Sequence, residues 1–359
     1  MLKSIPCTIM RGGTSKGAYF LQSDLPKDEL ERDKILLQVM GSPDERQIDG
    51  IGGANPLTSK IAIINESDRS DADIDYLFGQ VAVDQAIVGY TQNCGNILAG
   101  VGQFAIERGL LEPSEPTTNV RVHMVNSGDI AVATIATPGG QVVYDGDTKI
   151  DGVPGNSAPV LLNFLNTSGS LCGALFPTGN RTDIIDNVEL TCIDNGMPIV
   201  LMRASDFNVT GLETVTQLEG NHKLKERLEN IRLKVGPMMN LGDVVDKTVP
   251  KMTLLSQSNN KGLISTRSFI PHRCHSAIGV LAAVTVATAC LIPGTCAEKI
   301  SGDVGMSASR FLVEHPSGGM EVDIELELED GEINIKRSGF IRTARKICEG
   351  QVFVTMEES

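Results

Sequence analysis

Tryptophan is absent from the 359-residue chain, and aromatic residues make up only 4% of it. A core so poor in aromatics has to be built from small aliphatic side chains. Positive charge is also in deficit: 31 Lys and Arg stand against 45 Asp and Glu, giving a formal net charge of −14. This balance argues against nucleic acid or an anionic membrane as partner, since both need an extended positive face. A small anionic substrate held by a few converging cations is still allowed. The apolar run Ala277–Ile292, closed by Pro293-Gly294, falls short of the roughly 20 residues of a bilayer span. Neither a secretory nor a transit signal is visible in Met1-Leu2-Lys3-Ser4-Ile5-Pro6-Cys7. The eight cysteines form no Cys-x-x-Cys pair, so reduced thiols and a cytoplasmic location are expected.

What the chain does have is glycine, 37 residues of it, and a 41% hydrophobic content that suits a globular protein of two domains. Ala277–Ile292 carries no polar stripe and reads as a helix buried on all faces. Strands are expected at Val120–Val125, Ile130–Thr137 and Gln141–Tyr144, and a hairpin at Met320–Leu328 and Glu332–Ile335 around Asp330-Gly331.

Several landmarks recur about 185 residues apart. Cys7 and Cys192 open similar apolar segments, and each is followed by an amphipathic helix, at about Asp28–Met40 and Leu212–Leu233. Cys94 precedes the helical run Ile97–Glu107 as Cys274 precedes the buried helix, and Ser-Gly turns follow at Gly128 and Gly318. The expectation is an α+β fold of two pseudo-symmetric halves, 1–185 and 186–345, each a sheet curled around one apolar helix. The segment from about 346 to 359 is expected to pack back onto the first half. The active site is expected in the cleft between the halves.

Four segments could carry chemistry. Arg11-Gly12-Gly13-Thr14-Ser15-Lys16-Gly17 combines two cations, two hydroxyls and three glycines, and its backbone N–H groups could cradle a carboxylate. It lacks the spacing of a phosphate-binding loop. Ser59-Lys60 stands at the mouth of the strand Ile61–Ile64; a lysine in such a dry position is a candidate base, although lysines are mostly solvated. Cys94-Gly95-Asn96 puts a thiol at a helix start, with Gly95 permitting close backbone approach and Asn96 offering donors and an acceptor. In the second half Arg267, Cys274, His275, Ser317 and Gly318 are candidate binding residues, with a structural role or a second catalytic thiol left open for Cys274. The spacing of His272, Cys274, His275 and Cys290 matches no standard zinc set, so no metal is expected.

Taken together, Met10–Gly17, Met40-Gly41-Ser42-Pro43, Gln47-Ile48-Asp49-Gly50, Thr58-Ser59-Lys60, Asn93–Asn96 and Glu314–Gly318 resemble the PrpF family across essentially the whole chain. The resemblance implies the fold of diaminopimelate epimerase. It also implies proton transfer without a cofactor on unsaturated di- or tricarboxylates, either tautomerisation of an oxalomesaconate or allylic or cis-trans isomerisation of a methylaconitate-like acid. The family's catalytic lysine and cysteine match Lys60 and Cys94. Cys274-His275 departs from the second glycine-rich motif of the epimerases, which speaks against two-base racemisation of an amino acid. A non-catalytic carboxylate-binding protein is the alternative from another class. A homodimer is compatible with the sequence and not fixed by it.

Overall fold

The computed structural model describes residues 2–90, 93–302, 309–329 and 332–355. Internal contacts divide the chain into two units, one running to Asn163 and resuming at Ile341, the other Phe164–Phe340. The divisions thus fall at 163/164 and 340/341, where the sequence suggests 185/186 and 345/346. The reason lies in strand pairing: Asp183–Ile185 pairs with Val188–Asp194, which keeps both strands in the second unit.

The first unit contains β1 (Leu2–Gly12), β2 (Ser15–Leu21), α1 (Glu29–Met40), β3 (Lys60–Glu66), β4 (Ile74–Val81), β5 (Val88–Gly89), α2 (Gly95–Leu98), α3 (Val101–Glu107), β6 (Thr117–Met124) and β7 (Asp129–Ala136). β8 (Pro159–Phe164) follows. β1 is antiparallel to β2, β2 parallel to β3, β3 antiparallel to β4, β4 parallel to β6 and β6 antiparallel to β7. α1 starts where Asp28 accepts from the Glu31 N–H and stops at left-handed Gly41, as the capping residues suggest. Its Ile35, Leu36, Val39 and Met40 pack on Ile5, Cys7, Ala18, Phe20, Ile61 and Ile63, one face of the sheet. Burying each such side chain contributes about 1.5–3 kcal/mol.

The opposite face wraps around α2 and α3, which contact β1, β2, β3 and β7. The run Ile97–Glu107 is broken rather than continuous. The Tyr19 hydroxyl donates to the Ile97 carbonyl at 2.6 Å, and a Cβ on Gly100 would stand 2.7 Å from that hydroxyl. Gln141–Tyr144 is not a strand, because Gly139 and Gly140 both adopt positive φ just before it and turn the chain away.

The second unit repeats the plan with β9 (Asp183–Ile185), β10 (Val188–Asp194), β11 (Pro198–Arg203), α4 (Val215–Glu219), α5 (His222–Met238), β12 (Lys251–Ser256), β13 (Ile264–Ile270), β14 (Arg273–Cys274), α6 (Val280–Leu291), α7 (Glu298–Ser301), β15 (Arg310–His315) and β16 (Gly318–Glu329). β17 (Glu332–Thr355) begins in this unit and ends in the first, where it pairs with β1. From β10 to β11, β12, β13, β15 and β16 the pairings run antiparallel, parallel, antiparallel, parallel, antiparallel, the same series as in the first unit. Cys7 and Cys192 lie on the opening strands β1 and β10, and Gly128 and Gly318 end corresponding helix-to-hairpin passages.

α6 is the second central helix, with residues 282–290 all buried and β10, β11, β15 and β16 around it. At 12 residues it does not span a membrane, and no helix of the described residues is long and apolar enough to do so. The single helix expected at Leu212–Leu233 is instead two. Thr214 and Gln217 form a capping box on α4, and Asn221 caps α5, whose last residue is Met238. β16 and β17 form the expected hairpin, whose turn at Asp330-Gly331 lies outside the described residues.

Candidate active site

Residues alternate across a strand. In β3, Ile61 and Ile63 pack with α1, so Lys60 lies on the face turned to α2 and α3. Opposite it on β4 stand Gln80 and, further along the same face, Phe78 and Tyr76. Lys60 is buried, 7% exposed; its Nζ donates to Gln80 Oε1 at 2.7 Å and sits 5.0 Å from the centre of the Phe78 ring. Gln80 is itself fixed, because its Nε2 donates to the carbonyls of Pro56 and Ser59, each at 3.0 Å. Lys60 Nζ is therefore held by a rigid amide rather than by a carboxylate.

Cys94 is half-buried and immediately precedes α2, where its carbonyl accepts from the Leu98 N–H at 2.9 Å and from the Tyr76 hydroxyl at 3.4 Å. Asn96 bonds through Nδ2 to Thr14 Oγ1 at 3.1 Å and to Ser15 Oγ at 3.5 Å, linking the β1–β2 turn to the start of α2. That approach requires glycine: Cβ atoms on Gly12 and Gly13 would fall 2.2 Å from Asn96 O and Asn96 Oδ1, and Gly13 has φ of 51°. Arg342 of β17 completes the group, donating from Nε to Asn96 Oδ1 at 3.2 Å. Burial pushes its guanidinium down to about 10, while the nearby Cys94 sulfur acts in the opposite direction.

Lys60, Cys94, Gly95, Asn96, Thr14 and Ser15 thus gather on one side of the sheet. Ser59 adjoins them but is wholly buried, its Oγ donating to Gln47 Oε1 at 2.8 Å, so it shapes the loop before Lys60. Arg11 and Lys16 are not brought to this group. Gly12 and Thr8 of β1 face the central helices, the latter accepting from Arg108, so Arg11 points the other way, with Lys16 opposite it in register. The Arg11 guanidinium donates to Gly13 O, Thr343 O and Ser157 Oγ. With Arg345 and Lys346 it lines a separate cavity of about 410 Å³.

In the second unit Arg267 is buried, donating from Nε to Glu213 O and from NH1 to Thr266 O, both at 2.9 Å. Cys274 is buried too. Burial pushes its thiol up to about 11 against the opposing effect of Arg267, and its N–H donates to Glu219. Next to it, His275 Nδ1 accepts from the Ala277 N–H at 2.8 Å. Ser317 and Gly318 form an exposed turn in which Ser317 Oγ lies 3.3 Å from His315 Nδ1. The neighbouring Glu314 already occupies a nest of its own chain, accepting from Ser258 Oγ and from the N–H groups of Asn259, Asn260 and Gly262. Among the described residues no three His, Cys, Asp or Glu side chains converge as metal ligands.

Comparison with known proteins agrees with this architecture. The family described as PrpF protein matches residues 2–355. The chain belongs to the PrpF family. A Pseudomonas putida relative named 4-oxalomesaconate tautomerase is 59% identical over 350 residues, covering 98% of this chain and 96% of its own. A Novosphingobium relative named (4E)-oxalomesaconate Delta-isomerase is 54% identical, covering 98% of both chains. Among solved structures, a methylitaconate-delta-isomerase superposes with a TM-score of 0.89 at 36% identity, covering 98% of this PrpF chain and 96% of its own.

Three residues beside these candidates in the PrpF chain escape sequence reading. Gln80 and Tyr76 could be found from strand alternation in Asp75–Gln80 once β3 and β4 are paired. Arg342 has no such signal, since it lies 246 residues from Asn96 and outside every motif.

Proposed function

We propose that this PrpF-family isomerase catalyses keto-enol tautomerisation of 4-oxalomesaconate, with Lys60 and Cys94 as the proton-transfer pair. The observation that carries the reading is the 59% identity, over 98% of the chain, to a relative named for that reaction. Consistent with it, Lys60 and Cys94 stand in one unit on the side of the sheet that carries Asn96 and Arg342.

Lys60, as the amine, takes a proton from a carbon acidified by the adjacent carbonyl, and the C–H electron pair passes into the conjugated system as a dienolate. The Cys94 thiol returns a proton to the far end, and the ammonium and thiolate then exchange protons with solvent. Arg342, with the donors of Asn96 and Thr14, offers positive charge and hydrogen bonds to the carboxylates and to the spreading negative charge. Gln80 and Phe78 keep the Lys60 amine in place, limiting the motion that a long flexible side chain would otherwise have.

Purified protein offered 4-oxalomesaconate without added cofactor or metal should change the ultraviolet spectrum of the keto-enol pair, and Cys94→Ala should not. Turnover of 2-methylaconitate alone would move the chain to the cis-trans isomerase branch of the family. Binding of either acid without entry of solvent deuterium would leave a carboxylate-binding protein.

A further inference from the structure

The first unit carries a second group of cations, on the face of β1 turned away from α2 and α3. Arg11 stands in register with Arg345 of β17 on one side and with Lys16 of β2 on the other. Side chains directly opposite on neighbouring strands point to the same face, so three like charges lie in a row and repel. No carboxylate answers them. Arg345 and Lys16 make no hydrogen bond or ion pair with any described residue, and Arg11 donates only to neutral oxygens of Gly13, Thr343 and Ser157.

Arg11 and Arg345 also line the cavity of about 410 Å³, all of whose lining residues belong to this one unit. Lys346 lines it too but is already held by Glu107 and Glu349, at 3.0 and 3.3 Å. Asp145 is the one acidic residue of the lining, and it pairs with neither arginine. Asn156 and Ser157 add polar side chains. A guanidinium has five N–H donors. Those on Nη1 of Arg11 are taken by Gly13 and Thr343, and Nη2 donates once, to Ser157 Oγ at 3.2 Å. Nε–H and the second Nη2 hydrogen are left without an acceptor among the described residues. The bonds already made fix the plane of the group, so these donors are set before a ligand arrives. Burial, and after it the charge of Arg345, push Arg11 below its ordinary value. An oxyanion with two or more charges would fill the open donors and offset the repulsion between the two arginines.

We propose that this cavity binds a small multivalent oxyanion, held by Arg11 and Arg345, at a site separate from the face that carries Lys60 and Cys94. The proposal goes beyond the tautomerase reading and does not rest on it. Carboxylate and phosphate groups share the chemistry that paired guanidinium groups recognise, and the test distinguishes them.

The experiment is titration calorimetry of the full chain with inorganic pyrophosphate and, separately, with propane-1,2,3-tricarboxylate, at constant ionic strength and with acetate as the monovalent control. At least one of the two should bind the parent protein saturably, and Arg345→Glu and Arg345→Gln should each weaken that binding about tenfold or more. Tighter binding of pyrophosphate would assign the site to phosphate compounds, and tighter binding of the tricarboxylate to polycarboxylates. Without any anion, Arg345→Glu should melt about 2 °C above the parent, since the repulsion is replaced by an ion pair with Arg11. Affinity for both probes that is equal in the parent and the two variants would overturn the proposal, because any binding would then lie elsewhere. So would acetate binding as tightly as the multivalent probes, or a Tm lowered in both variants. Turnover of 4-oxalomesaconate does not enter these readouts, so failure of the site and failure of the tautomerase reading are seen separately.

Discussion

The two units share a pairing order and a buried central helix, yet their lysine and cysteine positions have opposite characters. In the first unit Lys60 Nζ is bonded to an amide, and Cys94 is half-buried beside a buried guanidinium. In the second unit Lys251, which opens β12 as Lys60 opens β3, has no bonded partner among the described residues, and the Cys274 thiol is buried and pushed up to about 11 by that burial, which suits a packing role. The comparison teaches that a duplicated scaffold fixes where a strand-opening lysine and a cysteine stand, while their neighbours decide what they can do. A thiol becomes useful in proton transfer where positive charge and access are both present, and stays inert where burial outweighs the nearby charge, as at Cys274 beside Arg267.

The comparison can be broken most severely at the two cysteines. Cys94→Ala is expected to lower kcat by about 10³-fold, the scale of a lost acid or base. Cys274→Ala should stay within tenfold. Equal losses would mean that both thiols take part. Next in size, Gln80→Leu should lower kcat about tenfold at unchanged protein concentration and fold, since Lys60 then loses the partner that aims it.

Smaller effects sharpen the likeness of the two β-hairpins. Gly13→Ala should destabilise by about 2 kcal/mol, combining the left-handed backbone with a clash on Asn96, and should also impair turnover. At the corresponding turn between β10 and β11, Gly196 has φ of 88°, but the nearest atom to a Cβ there would be 3.2 Å away, against 2.2 Å at Gly13. Gly196→Ala should therefore cost about 1 kcal/mol by thermal melting and leave activity intact.

Effects on stability alone concern the loops that close each second hairpin. Although burial pushes Glu314 up, Ser258 and three backbone N–H groups outweigh it and hold the carboxyl below its ordinary value. A carboxyl lowered in the folded state stabilises above its unfolded value and loses that contribution as pH falls toward the folded value. Glu314→Gln should accordingly cost about 2 kcal/mol at pH 7 and progressively less below about pH 4 in urea melts. Asp73 holds the matching loop of the first unit against Arg121, but its side chain is 28% exposed. Asp73→Asn should cost less than about 1 kcal/mol.

Much of this arrangement is legible in the sequence. The repeat can be read because cysteines and Ser-Gly turns recur at similar spacing, and the structure bears this out strand by strand. The buried helix can be read because Ala277–Ile292 has no polar stripe, although α6 begins only after Gly279, where the chain is still extended. What escapes reading depends on partners distant in sequence. The fate of Arg11 and Lys16 turns on which face of β1 meets the central helix, and the role of Arg342 on β17 returning to pair with β1. Lys251 stands in no motif, and its isolation becomes visible only when its surroundings are assembled. The break at Gly100 follows from one hydroxyl, that of Tyr19, which local periodicity does not reveal.

The most direct test is proton NMR of 4-oxalomesaconate in deuterated buffer with the parent protein, Lys60→Met, Cys94→Ala and Cys274→Ala. The account predicts enzyme-dependent deuterium entry at a carbon-bound position with the parent and Cys274→Ala, and its loss in Lys60→Met and Cys94→Ala. Exchange that persists in both first-unit variants, or disappears only in Cys274→Ala, would contradict the assignment of the chemistry to the first unit.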